Sequence, residues 1–323
     1  MTVRVVVIVG PTASGKTGLG VDVAHRLGSE IISADSRQVY RGLDIGTGKD
    51  LAEYAAVDPP VPYHLIDVAD PQEVYTLFHY QQDCYRLLAE LAVRQRYATG
   101  EVPLFMVGGS GLYAEAVIRD YRLADVPKNP ELRNRLASED HAELVAMLEA
   151  ESPALAGQTD TTSIRRVIRA LEIADYATRS TIRHGSPPIV APRFTVFGVR
   201  VDRASLRSRI HRRLIARLDD GMIEEVQDLL DRGLSPARLE ELGLEYREIT
   251  AYLRGEKTRE KMVFDLEHAI CRFAKRQETW FRGMERRGTP IRWIAPDDGA
   301  AILASCGCSP RPDSPLNSRT VAD

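Results

Sequence analysis

Cysteine is scarce in this chain of 323 residues. The four present, Cys84, Cys271, Cys306 and Cys308, follow neither a disulfide framework nor a zinc-ligand spacing, and the Cys306-Gly307-Cys308 pair has no downstream His or Cys to complete it. They read as free thiols in a reducing compartment. Long apolar runs are missing as well. None approaches the roughly 18 residues of a membrane span. The N-terminus lacks a charged region followed by a cleavage site, so residues 3–9 read as a buried strand. A cytoplasmic protein without a membrane partner is expected. Net charge is only −3, which argues weakly against nucleic acid. That average conceals an uneven distribution. Ser163 to Arg217 carry thirteen Arg against three acids, and Arg272 to Arg292 carry seven Arg or Lys against two Glu. Local basic faces matter more to a polyanion than the total does.

What is present is ordinary for a globular protein, 44% apolar and 28% charged, in a chain long enough for a large core plus an inserted second domain. The first 120 residues alternate short β-branched runs with helical patterns. "RVVVIVG" (4–10), "EIISAD" (30–35) and "VPLFMVGG" (102–109) read as strands; Lys16 to Leu27 and residues 74–100 read as helix, the latter as one helix or a pair. Continuous apolar strands alternating with helices imply an α/β fold, a parallel sheet covered on both faces. From about Pro127 to Ile182 only a 3.6-residue periodicity remains, so an all-helical unit interrupts the sheet. "FTVFGVRV" (194–201) returns to the sheet, a long helix runs from Arg203 to about Leu230, another spans 258–288, and "IRWIA" (291–295) is a last strand. The expected organisation is a core of 1–120 plus 194–296, an insertion of 121–193, and a disordered tail of 297–323.

The chemistry begins at "GPTASGKT". Gly10, Pro11, Thr12, Ala13, Ser14, Gly15, Lys16 and Thr17 satisfy G-x-x-x-x-G-K-[ST] between a strand and a helix, the context that makes a P-loop specific. Glycines let the backbone curl round an anion, and Ser14 to Thr17 present N–H groups at a helix N-terminus. Lys16 adds a mobile charge, and the Thr17 hydroxyl is a candidate Mg²⁺ ligand. The segment binds phosphate. "VPLFMVGG" ends in glycines where a hydrolase would place an acid, which counts against simple ATP hydrolysis. Asp35 ends the strand expected beside the P-loop strand, so its carboxylate should face the same cleft. Position alone leaves four roles open: a Mg²⁺ ligand, a kinase-type base, a base that deprotonates an amine, or a cap for the following turn.

The segments "GPTASGKT", "ISADSRQVYRGLDIGTGK", "YHLIDVADP", "VGGSGLY", "RRVIRALE", "DRASLRSRIHRRL" with "MIEEV", and "FAKRQETWFR" occur in that order. Together they closely resemble the tRNA dimethylallyltransferase (isopentenyltransferase) family, bacterial type, over roughly residues 4–295. The resemblance implies a P-loop NTPase-like sheet with an inserted tRNA-binding helical unit, acting as a monomer. It implies transfer of the prenyl group of dimethylallyl diphosphate to N6 of adenine 37 in the tRNA anticodon stem-loop, with Mg²⁺ as cofactor. On that reading the P-loop retains a diphosphate leaving group and no ATP is consumed. Asp35 resembles the family's general base, Ser110 stands where many members have Thr beside nucleotide or diphosphate, and Arg209 resembles the Arg that reaches the diphosphate from the opposite side. Asp35, Ser36, Arg37 and Gln38 resemble one tRNA-contacting segment, and Ser163, Ile164, Arg165, Arg166 and Val167 another, with Arg133 a further contact. Lys275, Arg276 and Arg282 are candidate phosphate grips, while Trp280 and Phe281 read as packing. The bland alternative for Arg133 and Arg165 is a solvated helix face.

"LGLEYREI" (242–249) departs from the more usual Leu-Gly-Tyr form, and no C2H2 zinc finger is present. Three rivals remain: a P-loop small-molecule kinase, a prenyltransferase acting on free AMP or ADP, and a non-catalytic RNA-binding ATPase. The first should show an Arg-rich lid, the second lacks a helical insertion, and the third leaves Asp35 and its continuation unexplained.

Overall fold

The computed structural model describes residues 2–307. Eight strands occur in chain order: β1 (Thr2–Val9), β2 (Ile31–Ser33), β3 (Tyr63–His64), β4 (Leu104–Gly108), β5 (Ala124–Asp125), β6 (Arg183–His184), β7 (Ala191–Val199) and β8 (Ile291–Ile294). Six of them form one parallel sheet in the order β3-β2-β4-β1-β7-β8. The alternation of β1 explains why both faces are covered. Val5, Val7 and Val9 pack against Tyr80, Leu88 and Val117 on one side. Val6 and Ile8 pack against Leu19, Val23 and Leu27 on the other. A strand buried on both faces has no polar position to spare, hence the unbroken Val/Ile run.

One strand assignment and one helix assignment need correction. β2 is not beside β1, because β4 lies between them and pairs with both. The longer strands β1, β4 and β7 occupy the centre, while the three residues of β2 and two of β3 taper towards an edge. The expected helix from Arg203 to Leu230 is two helices, Arg203–Asp219 and Met222–Asp231. Gly221, at φ 97°, makes the break in a region that favours glycine. These helices join Pro236–Leu242, Leu244–Leu253 and Arg259–Arg286 around a second apolar cluster that includes Leu206, Leu214, Val226, Tyr246 and Leu266.

The tail was expected to be disordered from residue 297, yet Gly299–Cys306 is helical. Ile302 and Cys306 are buried in the cluster that contains Leu19 and Val23. Ile302 and Cys306, four residues apart, dock it with Leu303 packed beside them, a signal too short to stand out as periodicity. Residues 308–323, with Cys308, lie outside the described residues. Among the described residues no helix is long and apolar enough to cross a membrane.

The chain divides into two compact units, one of residues up to Asp120 and from Pro188 onward, the other of Tyr121–Pro187. The second boundary falls earlier than residue 193 because β7 already begins at Ala191. The smaller unit packs Pro130–Leu136, His141–Glu151 and Ile164–Arg179 around Leu132, Leu144, Leu148 and Leu171. It is not wholly helical, since β5 and β6 close a short antiparallel ribbon. At its centre Glu172 accepts two hydrogen bonds from Arg133, at 2.6 and 2.8 Å, and others from Asn129 N–H and Arg169. Burial would raise the Glu172 pKa, but these donors outweigh it and hold the carboxyl at about 2. Because the folded value is depressed, its stabilisation is present above the unfolded carboxyl pKa and is lost as pH falls towards 2. Glu172→Gln should therefore destabilise the protein by about 1.5–3 kcal/mol near neutrality. As pH falls from about 4.5 to below 2 the two proteins should converge in thermal denaturation, and equal neutral-pH stability would contradict the role given to the pair.

Candidate active site

The site is built at the carboxyl end of the sheet, where the chain leaves β1 between β4 and β7. Ala13 (φ 60°) and Gly15 (φ 86°) adopt left-handed conformations that curl the P-loop, and Lys16 opens the helix Lys16–Leu27. The first turn of a helix has amide groups without intrahelical acceptors, which makes it an anion site. Within the loop, Ser14 N–H donates to Pro11 O at 3.3 Å, and the buried Ser14 hydroxyl has no hydrogen-bond partner. Lys16 Nζ rests on Pro11 O at 3.2 Å.

Asp35 and Ser110 arrive from neighbouring strand ends. Ala34 N–H donates to Val107 O at 2.8 Å, and Ser110 N–H to Ala34 O at 3.1 Å. The glycines that end β4 follow from this closeness, for a Cβ on Gly108 would stand 2.0 Å from Ala34 O. Ser110 Oγ accepts from Ser36 N–H at 2.9 Å, tying the two loops together. Asp35 Oδ1 accepts from Arg37 N–H at 2.9 Å, so the carboxylate caps its turn as well as facing the cavity. Lys16, Thr17, Asp35, Ser36, Gln38 and Ser110 line one cavity of about 340 Å³. Leu242, Leu244, Tyr246 and Phe273 give it an apolar wall.

The helix Arg259–Arg286 closes the P-loop side. Gln277 accepts from Thr12 N–H at 2.8 Å and donates to Gly109 O at 2.8 Å, so one buried amide fixes the spacing of β1 and β4 loops. Arg276 lines the cavity. Lys275 and Arg282 are exposed on the same helix and are absent from the lining. Phe281 is fully buried in the core, as its packing role required.

Arg209 donates to Ser14 O at 3.3 Å, directly over the P-loop. One and two turns further along its helix stand Arg213 and Arg217, also lining the cavity. Sequence reasoning missed this pair, although the i, i+4, i+8 spacing in "RIHRRLIAR" puts all three on one face. Arg213 pairs with Asp50 and reaches Gly48 O at 3.5 Å. Also missed were Glu225 and Lys49. Glu225 takes N–H donors from Asp44, Ile45 and Gly46 at 2.6–3.0 Å, and buried Lys49 bonds Asp44 at 2.5 Å, Tyr40 O at 2.8 Å and Asp67. Two charged side chains thus shape the loop that carries Gly46, Thr47 and Gly48 into the cavity wall. No local motif announces such long-range pairing.

In the smaller unit, Ile164, Arg165 and Arg166 are exposed and Ser163 is half-buried. Arg166 pairs with Asp160. Val167 is a correction: it is fully buried in the unit's apolar cluster and is not available to touch RNA. Position 167 continues the apolar stripe of its helix. Arg133, expected as a further tRNA contact, is held by Glu172 through two hydrogen bonds.

A P-loop at the switch of a parallel sheet, with a carboxylate and a hydroxyl across a part-apolar cavity, defines a phosphate-ester or diphosphate group-transfer protein. The IPP transferase family profile matches residues 38–284, and an isopentenyl transferase profile matches residues 3–56. A tRNA dimethylallyltransferase 1 of Porphyromonas gingivalis is 49% identical over 290 residues, covering 90% of this chain and 93% of that protein. One from Geotalea uraniireducens is 48% identical over 298 residues, covering 92% and 94%. The crystal structure of the full-length tRNA isopentenylpyrophosphate transferase from Bacillus halodurans superposes with a TM-score of 0.65 at 34% identity, covering 94% of each chain. This chain belongs to the IPP transferase family.

Desolvation is the largest influence on Lys16; with Arg213 and Arg217 it outweighs Asp35 and Asp50 and lowers the ammonium pKa to about 8. Lys16 is charged below that value and loses its charge as pH rises through it, so its contribution to anion binding must fade above pH 8. A calorimetric titration of inorganic diphosphate from pH 7 to 9.5 should show affinity falling up to tenfold per unit above pH 8. Lys16→Arg, whose charge does not titrate there, should be flatter. Parallel curves would show that Lys16 does not set the dependence.

Proposed function

We propose that this protein transfers the dimethylallyl group of dimethylallyl diphosphate to N6 of adenine 37 in tRNAs reading codons that start with U, releasing diphosphate. The reading rests on one observation above all: the P-loop, Asp35 and Ser110 face a single part-apolar cavity in a member of the IPP transferase family. The relatives at 48–49% identity carry the name tRNA dimethylallyltransferase over nine-tenths of this chain.

The chemistry suits the groups available. When the allylic C–O bond breaks, its electron pair leaves with the diphosphate. Loop amides and Lys16 stabilise the charge that develops there, and Arg209 stands beside the loop at Ser14. The N6 lone pair forms the new C–N bond, and the N6 proton passes to Asp35. The apolar side of the cavity shields the allyl fragment from water. Thr17, which lines the cavity beside Lys16, would hold a Mg²⁺ through its hydroxyl. That ion supplies charge neutralisation at the leaving group. Since a base inside an anticodon loop must turn outward to react, the cavity would receive a flipped adenine.

Purified protein, Mg²⁺, dimethylallyl diphosphate and unmodified tRNA with adenines at positions 36 to 38 should yield a prenylated adenosine by nucleoside mass spectrometry, with no ATP consumed. Prenylated AMP in place of tRNA would assign the free-nucleotide reaction, and ATP turnover without prenylation would assign a kinase. Asp35→Asn should keep tRNA binding and lose at least about a hundredfold in turnover. Equal turnover would remove Asp35 from the proton transfer.

A further inference from the structure

Arg217 is the one member of the Arg209–Arg213–Arg217 face whose charge has no hydrogen-bond acceptor. Its side chain is 13% exposed, and Nη2 is buried without a hydrogen-bond partner. The nearest carboxylate, Asp50, lies 3.8 Å from that nitrogen and is already paired with Arg213. The space it occupies is shaped for it: Gly48 has φ +60°, and a Cβ there would come 1.3 Å from Arg217 Nη2. Glu245, facing the same group, has its pKa raised by burial against the opposing pull of Arg217 and Arg213. A buried guanidinium nitrogen left without an acceptor is destabilising, and this one lines the cavity that also contains Lys16.

We infer that Arg217 is a substrate-positioning residue that donates to an oxygen of the diphosphate from the wall formed by Gly48 and Glu245. The inference rests on the reading of the cavity as a diphosphate site. Lys16, Arg213 and Arg217 line one cavity, and three like charges there repel one another. A ligand with several negative charges between them removes that repulsion, whereas a neutral adenine does not. A single RNA phosphate would bring one charge, and the loop amides with Lys16 already suffice for one. The diphosphate is the part of the reactants whose charge needs a further cation. Arg209 reaches the loop at Ser14 and Arg217 lies against Gly48, two turns further along the same helix face.

The test titrates inorganic diphosphate with Mg²⁺ into the unaltered protein, Arg217→Met and Arg217→Lys, with melting temperatures and both Michaelis constants measured alongside. Met keeps an unbranched apolar stem without the charge. It should weaken diphosphate binding and raise KM for the prenyl donor by about 10- to 100-fold. KM for tRNA should stay unchanged, the melting temperature should not fall, because the buried unpaired nitrogen is gone, and Lys should restore part of the loss. Equal diphosphate affinity in the unaltered and Met proteins would overturn the assignment. So would a rise confined to the tRNA KM, or a fall in melting temperature that Lys repairs without repairing diphosphate binding. If the unaltered protein itself does not bind diphosphate, the reading of the cavity fails first and this assignment falls with it.

Discussion

An anion held by backbone amides is positioned only as well as the strand end beneath them. In this protein that constraint organises the larger unit. β1 is buried on both faces, paired along its length with β4 and β7, and it delivers the P-loop at the point where the sheet order runs away in both directions. Every other group in the cavity is referred to that loop. Gln277 ties Thr12 to Gly109, Ser110 ties the β4 end to Ser36, and Arg209 reaches Ser14 from the helical layer. The glycines after β4 belong to the same constraint, because any side chain at Gly108 would push the Asp35 segment away.

Charge placement is the second level of order. The cavity gathers Lys16, Arg213 and Arg217 near Asp35, Asp50 and Glu245, with the pKa values of Lys16 and Arg217 lowered and that of Glu245 raised, burial the largest cause of each. Shifts of that kind mark groups arranged for a ligand more than for the folded state, since paired surface charges would carry none of them. In the smaller unit the opposite holds. Glu172 is surrounded by donors and depressed to about 2, which is what a structural ion pair does. Arg133 therefore serves the packing of that unit.

How much of this was legible beforehand depended on how local the cause was. The P-loop, the continuous apolar strands and the helical insertion each announce themselves within twenty residues, and the family resemblance extended over nearly the whole chain. Features set by distant partners were not legible. That β4 separates β2 from β1 depends on which strands best fill the sheet centre. Val167 read as a contact because residues 163–167 resemble a tRNA-contacting segment of the family, while its own position on the helix stripe decided its burial. Gly221 breaks a helix that periodicity alone would continue. The tail helix is held by Ile302 and Cys306, too few residues to leave a pattern. The Arg213 and Arg217 face was readable from spacing but was passed over, because a single arginine already satisfied the resemblance.

The mixed character of the cavity follows from the reaction it is read to perform. Loss of diphosphate from an allylic carbon separates charge, and the two products of that separation need unlike surroundings. The anion needs fixed donors that do not reorganise, which amides on a rigid strand end supply. The allyl fragment needs the absence of water and of competing nucleophiles, and Leu242, Leu244, Tyr246 and Phe273 are the apolar part of the cavity lining. Asp35 lines the same cavity. A carboxylate is a weak base towards a neutral exocyclic amine, so it is poorly suited to activate adenine in advance. Once the C–N bond forms, the nitrogen becomes acidic and a weak base is sufficient. The order of events, leaving group first and proton last, is thus consistent with a site rich in cations and served by one modest base.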